Sequence, residues 1–328
     1  MGGTREPWYK NAIIYGVDVA TFQDANGDGI GDFMGVCDRL DYLTELGVTC
    51  LWLLPFFPTP NRDNGYDVKN YYEVDPRLGT FEDFLRLVHR AGERGIRIMI
   101  DLVMDHTSDE HPWFQAARRD RNSRYRRYYE WSDAPPPTEP DKVNIFPGEE
   151  SSVWTYDEIA GQYYFHRFYH FEPDLNVMCQ DVRDEIERVI DYWLSFGISG
   201  FRVDAVSHMI EAPHKAAEAS MAHDPHQVIR EIRAYTSRRR PEAVLLGEAD
   251  VGLAGGAWRA PAGRGARGPV EPHGSARAPG GLHPTAHRTR GGDPGLPRDG
   301  PRGVPETVVI QRIHAARNHS TARIARVW

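Results

Sequence analysis

Cysteine is scarce: three residues in 328, Cys37, Cys50 and Cys179, far apart and without a CxxC spacing. That speaks against a disulfide framework and against a zinc ribbon, and it suits a reducing cytoplasm. Long apolar runs are missing too. The start, MGGTREPWYKNAIIYG, lacks a long apolar core after a basic segment, so no export signal and no membrane anchor is read. Positive charge is in deficit, with a net charge of −8, which argues against nucleic acid or an anionic membrane as the main partner. No GxGxxG follows the first strand-like segment, leaving dinucleotide binding little support. His106, His111 and Asp109 do not compose HExxH, so zinc hydrolase chemistry is not indicated.

A second deficit is local. All 13 Phe, all 15 Tyr and every Lys lie before residue 253. Residues 253–328 are rich in Arg, Gly, Pro, Ala and His, and carry a net charge of +8, which leaves −16 for residues 1–252. Such a composition buries too little apolar surface to offset its ordering entropy. Three readings compete: a disordered basic tail, an Arg/Gly arm for nucleic acid, or a GC-rich gene read out of phase after about residue 252. The third is favoured, because Phe, Tyr and Lys, all with AT-rich codons, vanish together and folding gives no reason for that.

Before the break, strand-like and helix-like segments alternate. AIIYGVDV, VTCLWLLP, IRIMIDLVMD, ISGFRVDAV and AVLLGEAD read as buried strands. GVCDRLDYLTELG, TFEDFLRLVHRAGERG, DVRDEIERVIDYWLSFG and QVIREIRAYTSRRR read as helices, with Thr80 as an N-cap. Alternation with continuous apolar strands predicts a parallel sheet covered by helices. The expected class is α/β, an incomplete (β/α)8 TIM barrel with about five of its eight strands. Residues 1–105 and 174–252 supply the barrel, 106–173 an inserted subdomain B after the third strand, and 253–328 the tail.

The barrel is preferred over an open sheet because polar residues collect at strand ends: Asp101 and Asp105, Arg202 and Asp204, and Glu248. Residues two apart on a strand share a face, so Arg202 and Asp204 point together. Burying two charges costs several kcal/mol each unless they are paired. The pair is therefore either a structural lock or a carboxylate held ionised for reaction. Glu248 ends the next strand, close enough for two carboxyls to face one bond, as glycoside cleavage requires. The acid of such a pair is expected in a less cationic, partly desolvated place.

DLVMDH, GFRVDAVSH and GEAD resemble, in order, three of the four signature regions of the α-amylase superfamily, glycoside hydrolase family 13. QDANGDGIGD, NGYDV and EPDLN are similar to the branch that holds oligo-1,6-glucosidases, amylosucrases and trehalose synthases. The resemblance covers about residues 7 to 252. It implies Asp204 as nucleophile, Glu248 as acid and base, and Arg202 as partner of Asp204. It further implies that His106, Tyr66 and Asp67 grip the nonreducing sugar, that His208 touches the neighbouring one, and that the two carboxyls lie roughly 5 to 5.5 Å apart, giving retention of configuration. His208 reads equally well as a surface histidine after its strand.

Three departures stand out. Asp105 replaces the usual Asn, Glu172 replaces the usual Gln before Pro173, and the fourth region, which supplies a third carboxylate, is missing. ARNHST offers Asn318 and His319 but Ser320 where Asp belongs, a coincidence within the altered tail. Asp24, Asn26, Asp28 and Asp32, with the carbonyl of Ile30, set oxygen ligands at alternate positions around a glycine turn. The expectation there is a structural Ca2+, the alternative a metal-free Asx turn; no organic cofactor is expected.

The expected substrate is a small-molecule α-glucoside, maltose or a short malto-oligosaccharide. The favoured activity resembles trehalose synthase, with an α-glucosidase or α-amylase as runner-up and an inactive truncated remnant as the reading from another class. An unclosed barrel exposes strand edges, so association or poor solubility is expected of the remnant. Oligomeric state is left open.

Overall fold

The computed structural model describes residues 6–134, 145–146, 148–209, 227–249, 308–311 and 323–326. These belong to one of two units into which the chain divides; the other, Val251–Pro305, lies outside the described residues. In chain order the elements are β1 (Ile13–Val17), α1 (Val19–Phe22), α2 (Phe33–Asp38), α3 (Leu40–Glu45), β2 (Cys50–Leu53), α4 (Phe81–Glu93) and β3 (Arg97–Leu102). There follow α5 (Pro112–Arg119), β4 (Trp131–Ser132), β5 (Trp154–Asp157), β6 (Gln162–Phe165) and α6 (Gln180–Ser195). The described elements end with β7 (Gly200–Val203), α7 (Val206–Met209), α8 (Gln227–Arg239), β8 (Val244–Ala249), β9 (Val308–Gln311) and β10 (Arg323–Arg326).

The main sheet has the order β10-β1-β2-β3-β7-β8-β9. All five expected strands are present and parallel, in sequence order, with helices between them. Two more come from the segment read as a tail. β9 runs parallel to β8, and β10 antiparallel to β1. β10 and β9 become the edge strands of a sheet that stays open, as expected of an unclosed barrel, and the edges of β1 and β8 are therefore paired. The physical reason is the row of unpaired amides and carbonyls that an edge strand offers, met by the β-branched run VVIQ and the alternating RIAR. Asn318, His319 and Ser320 lie outside the described residues.

Strand alternation sorts the core into two faces. Toward the helices point Val17, Leu51, Leu53, Ile98, Ile100, Leu102, Phe201, Val203 and Leu245. Ile14, Cys50, Trp52, Met99, Val244 and Leu246 fill the opposite face. Two residues beyond Met99 is Asp101, and two beyond Leu246 is Glu248; Arg202 and Asp204 continue the same face of β7. The polar residues thus extend the inner face toward the carboxyl ends of the strands. Gly200 lets β7 begin there: its φ is +154°, and a Cβ would sit 2.2 Å from the carbonyl oxygen of Val244, so only glycine fits.

The helices seal the other face. Thr80 caps α4 in a reciprocal box, its hydroxyl accepting from the Asp83 amide at 3.2 Å while Asp83 Oδ2 accepts from the Thr80 amide at 3.0 Å. Phe84 of α4 then packs edge-on to Phe33 and to Trp193 of α6. Between β3 and α6 a separate antiparallel sheet forms, ordered β4-β6-β5. The segment returns to the main sheet at the end of β3, where the Thr107 amide donates to the carbonyl of Pro173 at 3.1 Å, that of Asp109 to Phe171 at 2.8 Å, and that of Leu175 to Asp105 at 2.7 Å.

Candidate active site

One guanidinium organises the carboxyl ends of β3, β7 and β8. Nη1 of Arg202 donates to Oδ1 of Asp204 and to Oδ1 of Asp101, each at 2.6 Å, and Nη2 pairs with Oε2 of Glu248. Pairing of β7 with β8 sets Val203 opposite Gly247, so Asp204 and Glu248 are the next residues on adjacent strands. Trp52 Nε1 donates to Asp101 Oδ2 at 2.8 Å, and the guanidinium lies 5.0 Å from the Trp52 ring. The residue after Asp204 is also unusual: Ala205 holds φ +49°, a left-handed conformation that costs of order 1–3 kcal/mol and is tolerated where surrounding structure enforces it.

Electrostatics divide the carboxyls. Burial raises Asp101 to about 7, against the pull of Arg202. Burial also raises Glu248; Arg202 opposes this and the Asp204 charge adds to it. A carboxyl whose pKa is raised by burial suits the part of an acid. One expectation needs correcting. Glu248 was to sit in less cationic surroundings, yet it touches Arg202 directly, because β8 lies beside β7 in register and brings both carboxyls onto the same cation.

Tyr66 and Asp67 come from the loop after β2. Gly65, at φ +95°, makes the turn that delivers them, and a Cβ there would meet the Pro55 carbonyl oxygen at 2.8 Å. The Tyr66 hydroxyl lies 3.4 Å from Asp101 Oδ2 and accepts from Arg202 Nη1 at 3.3 Å. Asp67 is buried and accepts from the Thr59 hydroxyl at 2.6 Å and the Arg62 amide at 3.0 Å. His106 is buried at the end of β3 with its ring 5.2 Å from that of Phe168. Phe168 also meets His208 edge-on at 5.6 Å, so the two histidines flank one phenylalanine.

Several contributors had no signal in the sequence. Arg62 bridges Asp67 and Asp109 and lies 4.5 Å from the Phe171 ring. Asp63 is raised to about 6 by burial, opposed by His106. Phe168 belongs to the same group. Each depends on how the inserted segment folds over the strand ends. Asp101 was visible as a strand-end residue, but its bond to Arg202 was not.

The loop from Asp24 to Asp32 has an all-oxygen donor set suited to a hard cation. Its oxygens are occupied by backbone amides: Asp24 accepts from Gly27 and Gly29, Asn26 from Asp28, Asp28 from Ile30, and Asp32 from Ala25 and Gly35. Among the described residues no group of three His, Cys, Asp or Glu side chains converges as a metal site. The turn closes on itself through these bonds. No helix among the described residues is long and apolar enough to cross a membrane.

Residues 17–255 match the family described as alpha amylase, catalytic domain. The chain belongs to the alpha-amylase family. The family match ends at residue 255, within three residues of the change in composition. A trehalose synthase of Pimelobacter is 44% identical over 248 residues, covering 76% of this chain and 43% of the relative. An oligo-1,6-glucosidase of Heyndrickxia coagulans is 44% identical over 201 residues, covering 61% and 36%. Among solved structures, the trehalulose synthase of Pseudomonas mesoacidophila superposes with a TM-score of 0.66 at 36% identity, covering 74% of this chain and 45% of that one. This alpha-amylase family chain therefore spans less than half the length of these relatives.

Proposed function

We propose that this chain carries the bond-cleaving part of a retaining α-glucosyl enzyme, most like a trehalose synthase acting on maltose. The observation that carries the reading is the convergence of Asp204 and Glu248 on the single guanidinium of Arg202. Asp204 attacks the anomeric carbon while Glu248 protonates the departing glycosidic oxygen, giving a covalent glucosyl ester. Glu248 then takes the proton from the incoming hydroxyl, the new carbon–oxygen bond forms, and Asp204 leaves as carboxylate. Asp67, Tyr66 and His106 hold the glucosyl unit, and His208 the sugar beyond it.

Whether water or the released glucose accepts the glucosyl group depends on exclusion of water from the pocket. Incubation with maltose separates the outcomes: trehalose supports the isomerase, glucose alone the α-glucosidase. A chain that turns over neither, yet folds cooperatively, is the inactive remnant.

Two further parts of the proposal stand on their own tests. Structural Ca2+ on the Asp24–Asp32 loop raises the melting temperature relative to a chelator; an unchanged value removes it. A reading frame shifted after about residue 252 shows as a family-like sequence in another frame downstream of the Gly252 codon, and an intact single frame removes that idea.

A further inference from the structure

His106 stands between two carboxyls that come from different parts of the chain. Its Nδ1 is 3.6 Å from Oδ2 of Asp105, the preceding residue at the end of β3, and its Nε2 is 3.7 Å from Oε1 of Glu172, at the return of the inserted segment. All three side chains are buried, Glu172 completely. Five of their polar atoms, Asp105 Oδ2, both ring nitrogens of His106 and both carboxyl oxygens of Glu172, have no hydrogen-bond partner among the described residues. Such atoms are costly to bury unless charge compensates. Opposite charge at under 4 Å between buried groups does so. These are also the two positions where the sequence departs from its resemblance, with Asp in place of Asn and Glu in place of Gln.

We infer that Asp105 and Glu172 are positioning residues that act through His106, holding it as an imidazolium between them. The inference rests on the proposed glucosyl chemistry for its use, and not for its test. Other charged groups face the ring as well: Asp204 from the end of β7, Asp63 from the loop after β2, and Asp174, which bridges to His106 from the returning segment. None of these is a cation, and each favours the charged ring while it is ionised; burial raises Asp63 to about 6 and lifts Asp174 well above the ordinary carboxylate range. Burial works against the charge, but Glu172 and Asp105 outweigh it and lift His106 to about 10, while burial raises Glu172 itself to about 8 against the pull of His106. An imidazolium offers two N–H donors, one toward each carboxyl.

The test is the protonation state of the ring, read by NMR on histidine-labelled full-length chain, with His106→Gln to assign the signal. In the wild type His106 stays protonated from pH 5 to pH 9. Glu172→Gln and Asp105→Asn each lower its titration midpoint by about one pH unit or more, and the double variant brings it to the ordinary value of about 6.5 or below. A wild-type midpoint near 6.5, or one unmoved in both folded single variants, overturns the inference. Circular dichroism confirms that the variants fold; should one fail to fold, the wild-type titration still decides. If maltose is not turned over, the proposed function falls while this readout stands.

Discussion

Nη1 of Arg202 lies 2.6 Å from Oδ1 of Asp204, two residues along one strand face, and the same guanidinium reaches Glu248 on the next strand. A carboxylate fixed this way keeps its aim, which a nucleophile needs. Asp204→Asn preserves shape and removes the charge. Turnover of maltose, measured as glucose plus trehalose, is expected to fall on the order of a thousand-fold or more relative to wild type, with the melting temperature retained. Wild-type turnover in this variant would falsify the assignment of Asp204.

Arg202 also has a structural burden. Its side chain is nearly buried, and Asp101, fully buried, depends on it. Removing one partner of a buried pair strands the others, typically at about 3–5 kcal/mol. Arg202→Met should lose that much in urea unfolding at pH 7.5. The loss shrinks on acidification, because Asp101, already raised to about 7, then takes a proton and needs no cation. A pH-independent loss would point to packing in place of charge.

In the proposed transfer, Glu248 sets the alkaline limb of the pH–rate profile. Its proton must be present for the first step, and burial raises its pKa with help from Asp204. The rate therefore falls as pH rises through that raised value, above the ordinary carboxylate range. In Glu248→Gln the limb disappears and maltose turnover is lost. α-Glucosyl fluoride, whose leaving group requires no proton, still glycosylates the enzyme and releases fluoride. Equal loss with both donors would contradict an acid role.

Much of this arrangement was legible because it is local. Apolar runs gave the five strands, and alternation put Arg202 beside Asp204; Thr80 followed from T-x-x-D before an apolar run. The rest is non-local. Arg62, Asp63 and Phe168 gain their positions only when the inserted segment folds back over β3, and no spacing in the sequence encodes that return. Glu248 touching Arg202 was missed for a similar reason: strand register decides it, and register is not written in either strand alone. β9 was hidden by averaging, since four apolar-rich residues vanish inside a segment dominated by Arg, Gly and Pro.

His111 supplies an acid-stability prediction. It is buried, with its ring 4.3 Å from Trp113, and its Nδ1 accepts the Trp113 amide at 3.1 Å as the N-cap of α5. A protonated ring cannot accept that bond, and burial lowers its pKa to about 3. The sign follows from linkage: with the folded value below the unfolded value of about 6.5, stability is intact above pH 6.5 and is lost as pH falls toward 3. Between pH 6.5 and pH 4.5 this group removes roughly 2–3 kcal/mol. His111→Asn keeps a side-chain acceptor at the cap but cannot take a proton. Urea unfolding should show the variant somewhat weaker at pH 7.5, through lost ring packing, and closer to or above wild type at pH 4.5. Parallel pH profiles for the two proteins would mean that other groups govern acid unfolding and that His111 is only a cap.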